Sequence, residues 1–305
     1  MVSNVSVVLS TFNGAAYLPE QLDSLLGQTY SNLAIHVRDD GSSDETRRIL
    51  QHYAAKHPKI RLAFGTRLGV TRSFFNLLQH TEPHSQYFAF CDQDDVWHPG
   101  KVERAVWHLS QLQHGVPALY CCRLEYVDEK LGHLKYSRLP RKTLQFENAL
   151  VENCATGCTV VLNRVARDLI TSRLPKIPVR HDWWCYLAVS AFGTIVYDAT
   201  PGVKYRLHGA NDTGAGTSLR DNLSRRTRRF LHNGGDAFRI HAQAELFARL
   251  YAESLSRDKR RVLERFLASK QSRRTRMQFA LKPGVYRQSR IDDVLLRMLF
   301  ILNWY

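Results

Sequence analysis

The chain has 305 residues, 44% of them hydrophobic, which is long and apolar enough to bury a core and excludes wholesale disorder. Its net charge of +15, from 43 Lys and Arg against 28 Asp and Glu, is unevenly spread. Residues 1–219 hold 23 basic and 20 acidic side chains and residues 220–305 hold 20 and 8, so a nearly neutral body is joined to a basic tail. Such a tail suits an anionic lipid surface or another polyanion, and it would equally suit a well-solvated helical surface.

The six cysteines lack metal-ligand spacing: Cys121 and Cys122 are adjacent, and Cys154 and Cys158 have no His-x-x-x-His partner. Cys91, Cys158 and Cys185 sit in apolar surroundings, as reduced core thiols do, so a reducing, cytosolic compartment is expected. The opening Met1-Val2-Ser3-Asn4 lacks the charged lead and apolar run of a signal peptide. No stretch is apolar over a length that would span a bilayer, Val294–Leu302 being interrupted by Arg297.

In chain order, Val5–Ser10 is a β-branched run that predicts a first strand, followed by the turn formers Thr11-Phe12-Asn13-Gly14, whose side chains can donate to a ligand. Tyr17, Leu18, Leu22, Leu25 and Leu26 are spaced for a helix. A second strand, Leu33–Val37, runs into Arg38-Asp39-Asp40-Gly41-Ser42-Ser43-Asp44-Glu45, where Ser42 and Glu45 have the spacing of a capping box for the next helix. Ile60–Phe64 predicts a third strand and Leu68–Phe75 another helix start. Tyr87–Cys91 is apolar on both faces, as a buried parallel strand is, and runs directly into Asp92, Asp94 and Asp95. In open α/β sheets ligands bind outside the carboxyl ends of the strands. Three crowded carboxylates repel one another unless something positive lies between them, such as a divalent ion on a diphosphate; an exposed acidic turn is the plainer alternative.

This β-α-β-α-β-α-β alternation predicts an α/β fold with a mostly parallel sheet and covering helices. Further elements are expected at Lys101–Gln113 (helix), Ala118–Cys122 and Cys158–Leu162 (strands), from Arg164 and over His181–Phe192 (helices), and at Thr194–Asp198 and Val203–His208 (strands). Beyond residue 216 the texture becomes Arg-rich and periodic in Leu, Phe and Ala, predicting a helical appendage over 217–305 after a catalytic domain over 1–216. In it, Phe247, Leu250, Tyr251, Ser254 and Leu255 would line one helical face and Leu263, Phe266 and Leu267 another. Its last segment, Ile291–Tyr305, has the composition of a membrane-interface helix, or of one packed on the body.

Five stretches together, Ser10–Gly14, Arg38–Asp44, Cys91–Asp95, His181-Asp182-Trp183-Trp184 and Tyr205–Asn211, resemble the family 2 glycosyltransferases, nucleotide-sugar-dependent enzymes of GT-A fold. The resemblance covers about residues 4–216, and the last two stretches with Trp97 look most like the bacterial rhamnosyltransferase-type branch that builds surface polysaccharide, O-antigen and lipopolysaccharide included. It implies an inverting transfer in which Asp182 occupies the base position; read alone, Asp182 would also serve as an ordinary acid at a helix N-terminus. Asp94 or Asp95 would hold Mg2+ or Mn2+, with His208 as a further metal or phosphate contact, and Asp92 would meet the ribose or orient the cluster.

The same resemblance implies that Asp40, with Asp39 as the alternative, accepts from a pyrimidine N–H, while Ser10, Thr11, Phe12 and Asn13 flank the nucleotide and Arg72 stands where relatives carry another polar residue near it. Trp97 and Trp183 would form an apolar wall for a sugar face, a place that ordinary core packing would fill equally well. The implied partners are dTDP-rhamnose or a UDP-sugar, a lipid-linked oligosaccharide acceptor, and the anionic inner face of the cell membrane. Two rivals share parts of the pattern. A sugar-nucleotide nucleotidyltransferase would carry a Gly-rich phosphate loop after the first strand, where this chain has a single glycine, Gly14. A nucleic-acid binder would interleave aromatic residues with the basic tail, whereas here they sit at core spacing, so no nucleic acid is expected.

Overall fold

The structure, a computed structural model, describes residues 4–82, 84–175, 179–208 and 239–305. The chain forms two compact units, one of residues 1–139 and 155–208 and one of residues 140–154 and 209–305. The expected boundary at 216–217, the tail residues 220–238 and Gly209-Ala210-Asn211 of the last motif lie outside the described residues.

The first unit is built on strands β1 (Val5–Thr11), β2 (Leu33–Asp39), β3 (Ile60–Phe64), β4 (Tyr87–Cys91), β5 (Val96–Trp97), β6 (Ala118–Val127), β7 (His133–Tyr136), β8 (Val161–Asn163) and β9 (Thr194–Arg206). They form one mixed sheet in the order β3-β2-β1-β4-β8-β6-β9-β5, with β7 paired to β6. The α/β class is as expected, and the β3-β2-β1-β4 half is parallel; β8, β5 and β7 enter antiparallel. The central strands bury nearly every residue, from Val5 to Leu9 and from Tyr87 to Cys91, which is why they read as continuous apolar runs rather than alternating ones. The helices of this unit are α1 (Leu18–Leu26), α2 (Thr46–Lys56), α3 (Val70–His80) and α4 (Lys101–Ser110); after α5 (Phe146–Ala149), which belongs to the second unit, come α6 (Arg164–Ser172) and α7 (His181–Phe192).

Three local expectations are revised. The capping box does not form: α2 starts at Thr46 with no side-chain cap, because the Ser42 hydroxyl bonds the Asp39 carboxylate instead. Cys158 lies in a 3-10 turn, Gly157–Thr159, ahead of the short β8. The two strands expected between 194 and 208 are one, β9, which keeps pairing with β6 through register shifts at Cys122/Arg123 and Arg123/Leu124.

The register decides where the chemistry collects. Thr11 pairs with Asp39 and Leu9 with Cys91, so the loops after β1, β2 and β4 leave from one edge of the sheet. β9 runs parallel to β6 and ends level with Val127, while Phe90 N–H donates to Val160 O at 3.1 Å and sets the Gly157–Thr159 turn beside the end of β4.

In the second unit, α8 (Arg239–Tyr251), α9 (Arg257–Ala268), α10 (Arg273–Leu281) and α11 (Arg290–Leu302) follow one another. Phe247 and Tyr251 are buried as their spacing implied, but the chain turns at Ala252–Ser254, so Leu255 is buried beyond the helix rather than on it. Phe266, Phe279, Phe300 and Tyr305 form an aromatic cluster with ring centroids 4.6–6.1 Å apart. Among the described residues no helix is long and apolar enough to cross a membrane.

One tight spot tests the sheet. Gly193 joins α7 to β9, and a Cβ there would lie 1.8 Å from the Pro117 carbonyl oxygen that receives Thr194 N–H. Gly193→Ala is expected to destabilise the chain by about 1–3 kcal/mol, read as a lower denaturant midpoint at unchanged slope.

Candidate active site

The edge where β1, β2, β4 and β9 end carries most of the residues singled out from the sequence. The loop after β4 turns back through Val96-Trp97, paired with Val203 and Lys204 of β9, and this hairpin-like return brings Asp94 to the end of β9. There His208 Nε2 and Asp94 Oδ2 share a hydrogen bond of 2.9 Å, with the Tyr17 ring stacked on the imidazole at 5.0 Å. Asp182, in the first turn of α7, is buried; its Oδ1 accepts the Trp183 N–H at 2.8 Å and its Oδ2 lies 3.4 Å from Arg180 Nη2. A Cβ on Gly157 would come within 3.6 Å of the Asp182 Cβ, so the turn before β8 lies against the start of α7.

Asp95 points inward and is fully buried. Its Oδ1 accepts the Arg206 N–H at 3.2 Å, while Oδ2, beside the Cys158 thiol, has no N–H or O–H donor. Donor atoms of Asp92, Asp95 and Cys158 lie within 4.8 Å of one another. Burial pushes the Asp92 carboxyl up to about 7, reinforced by the charges of Asp94 and Asp182 and opposed by Lys101 and Arg180. Burial raises Asp95 well above the ordinary range, with Asp94 and Asp92 adding to it. Carboxylates held this close, one with a buried oxygen that meets only a thiol and another beside an imidazole, are a donor set that suits a hard divalent cation.

Four residues of this architecture carried no individual role in the sequence. Lys101 is fully buried; its Nζ donates to Cys158 O at 2.6 Å and sits 2.9 Å from the Trp97 ring centroid, a fixed cation close to the carboxylates. Burial pulls its pKa down to about 8 against the upward pull of neighbours that include Asp95. Arg206 is also buried, and its guanidinium ties the acidic loop by donating from Nε to Asp94 O at 3.0 Å, from Nη1 to Glu129 O and from Nη2 to the Glu20 carboxylate. Gln93 clasps the end of β1, accepting Phe12 N–H at 2.8 Å and donating to Phe12 O at 3.1 Å. Gly14 leaves room for that amide, since a Cβ there would lie 2.2 Å from its oxygen. Cys158 supplies the carbonyl and thiol already named. Only the first turn of a helix starting at Lys101, with an otherwise ordinary charge, could have hinted at a buried lysine.

The loops after β1 and β2 are latched together. Asn13, at φ 49°, donates its N–H to Ser42 Oγ at 2.9 Å and accepts Ser43 N–H at 2.9 Å, and Gly14 N–H donates to Thr46 Oγ1. Ser10 donates to Ser73 Oγ at 2.7 Å, and the Phe12 ring, partly exposed, lies 4.2 Å from the Arg67 guanidinium carbon. Asp40 accepts Leu68 and Gly69 N–H, each at 2.7 Å, and pairs with Arg38, which leaves about one acceptor direction of roughly four open. Arg72 is exposed on the first turn of α3.

Three placements differ from expectation. Asp39 is fully buried and surrounded by donors from Gly41, Ser42, Thr11 and Arg47; burial would raise its pKa, but these bonds hold it below the ordinary value, so it organises the loop and presents no free oxygen. Trp97 offers no sugar wall, because its ring is 2% exposed within the core with Lys101 over it. Trp183 is 7% exposed, so its wall would need movement of its neighbours.

Residues 6–169 match the family model described as glycosyl transferase family 2, more than half of the chain. An uncharacterized glycosyltransferase of Rickettsia prowazekii is 28% identical over 215 residues, 68% of this chain and 65% of that protein. A second, from Rickettsia typhi, is 28% identical over 218 residues with the same coverage, so the chain spans just under two thirds of the length of these relatives. The dTDP-rhamnosyl transferase RfbG of Shigella flexneri is 25% identical over 237 residues, 71% of this chain and 77% of that one. The crystal structure of S. aureus TarS residues 1–349 in complex with UDP-GlcNAc superposes with a TM-score of 0.56 at 12% identity, covering 99% of this chain and 91% of that one. The fold is therefore GT-A-like, a curled mixed sheet flanked by helices with a helical C-terminus.

The raised carboxyls set a pH dependence for the cation-free protein. Asp92 binds its proton more tightly folded, at about 7, than unfolded, at about 3.8, so its contribution to stability is complete below pH 4 and is lost as pH rises through 7. Melting temperature is expected to fall between pH 5 and pH 8, Asp92→Asn to flatten that fall, and added Mn2+ to raise it more at pH 8 than at pH 5.

Proposed function

The chain belongs to glycosyl transferase family 2, and from that membership we propose that it moves a sugar, with inversion, from a nucleoside-diphosphate donor to a hydroxyl of a glycan acceptor. The observation that carries this reading is the meeting of Asp182 with the acidic loop after β4: its charge acts on Asp92, and both border the Gly157–Thr159 turn. Inverting displacement needs a base on the sugar face opposite the departing diphosphate, and a buried carboxylate fixed at one oxygen by the Trp183 N–H, with the Arg180 guanidinium 3.4 Å from the other, is oriented to accept the acceptor's proton at that second oxygen.

Asp94 and His208, both within reach of the open edge, and Asp92 would hold a divalent cation, with Asp95 buried behind them. Bound there, Mg2+ or Mn2+ supplies positive charge for the diphosphate as the glycosidic bond breaks. The Asp40 carboxylate keeps an acceptor direction for a pyrimidine N–H, and the loop of Ser10, Thr11, Phe12 and Asn13 frames the nucleotide, with Arg72, exposed on the first turn of α3, as a further polar contact to it. The similarity to RfbG favours dTDP-rhamnose over a UDP-sugar as donor. The acceptor in this reading is a lipid-linked oligosaccharide met at the anionic inner face of the membrane, toward which the basic C-terminal region draws the protein.

Asp182→Asn is expected to lower turnover by about 10²–10⁴-fold with nucleotide affinity unchanged, whereas Asp94→Ala should weaken both turnover and nucleotide binding. The measurement is transfer from a panel of nucleotide sugars with and without Mn2+, alongside nucleotide titration. Near-normal turnover of the Asp182 variant removes that residue from the base role.

A further inference from the structure

The last helix carries a surface that the described fold leaves bare. α11 turns Leu296, Leu299 and Phe300 inward, each at most 2% exposed, and its first turn is fastened within its own unit. The Asp293 carboxylate pairs with Lys142 at 2.8 Å and accepts the Arg287 N–H at 2.6 Å, and Ser289 caps the helix. On its other side Ile291, Val294, Met298 and Ile301 recur every three or four residues and are 47–62% exposed. The stripe continues into Leu302 and Trp304, and α10 adds Met277 and Leu281, the latter 74% exposed. Of the charges within this stretch, Asp292 and Asp293 stand in the first turn, and Arg297 donates to the Ala280 and Leu281 carbonyls and so closes the end of α10.

The charges around the stripe are mostly of one sign. Residues 239–305 contain fifteen Lys and Arg against six Asp and Glu, and Arg273, Arg274, Lys282 and Arg290 on and beside α10 and α11 are exposed. Contiguous exposed apolar residues of this kind mark a contact surface rather than ordinary solvent-facing helix. We propose that the α11 stripe is a lipid-docking surface, lying in the interface of an anionic bilayer with Ile291, Val294, Met298, Ile301 and Leu302 among the acyl chains, Trp304 at headgroup level and the surrounding Arg and Lys on phosphates. A second copy is disfavoured as the occupant, because pairing two such faces would bring like positive charge together, whereas anionic lipid reverses the sign. The inference rests on the membrane reading above and names the element that makes the contact. Its test reads binding and not transfer, so the docking surface and the catalytic assignment can fail separately.

The experiment is flotation of the full chain with phosphatidylcholine vesicles, with and without phosphatidylglycerol. The expected result is binding only to the anionic vesicles and a blue shift of Trp emission that Trp304→Phe removes. Met298→Asp with Ile301→Asp is expected to reduce partitioning by about tenfold or more, and the milder Ile291→Ser with Trp304→Ser to reduce it severalfold, both at unchanged melting temperature. Partitioning of both variants within twofold of the parent overturns the proposal and leaves charge alone as the attraction. It is equally overturned if the parent ignores anionic vesicles, or if it is a dimer in solution that the stripe variants dissociate.

Discussion

Everything at the open edge depends on keeping three aspartates together in four positions. Two buried cations make this tolerable. Lys101 sits beneath the loop with its ammonium on the Cys158 carbonyl and the Trp97 ring, and Arg206 reaches across from the end of β9 to hold the Asp94 carbonyl. Lys101 acts through the Cys158 carbonyl and through its charge on Asp92, and Arg206 through the Asp94 carbonyl and through its own N–H on Asp95. The result is a cluster fixed in position, two of whose members, Asp92 and Asp95, retain their protons more strongly than free aspartates do because they are buried beside like charges. Such a set gains from an incoming positive charge, which follows from geometry before any reaction is assigned.

The second constraint is register. Parallel pairing of β1 with β2 and β4 sends three loops out at one level, and β9, parallel to β6, adds His208 from far along the chain. The short antiparallel β8 then carries the Gly157–Thr159 turn to the same level. Asp182 arrives next to that turn because α7 begins there and buries all of its first eleven residues, His181 among them, packed between Phe74 at 4.2 Å and Phe90 at 5.2 Å. A helix buried on all sides cannot rotate without exposing apolar surface, so the orientation of its first turn is set by packing.

The C-terminal unit follows a different logic. Its aromatic cluster of Phe266, Phe279, Phe300 and Tyr305 gives α9, α10 and α11 a core of their own, closed by the Ser269 and Tyr305 hydroxyls at 2.5 Å. The core consumes only one side of α11, and the opposite side remains apolar among basic residues. A helix wheel would have shown two apolar sides without saying which one the protein uses for itself.

The sequence by itself determined the α/β class, the strands up to β4, the family resemblance and the helical character of the tail, because continuous apolar runs and 3.6-residue periodicity are local properties. It also singled out Asp92, Asp94, Asp95, Asp182 and His208 as candidates, since each stands within a recognisable short motif. What only the tertiary structure decided was partnership. Ser42 could have capped a helix, yet bonds Asp39; Trp97 could have faced a ligand, yet lies under Lys101; β9 could have broken at Pro201-Gly202, yet runs on beside β6. In each case the local alternatives differ by no more than a hydrogen bond or a rotamer, about 1 kcal/mol, and long-range packing is large enough to choose between them.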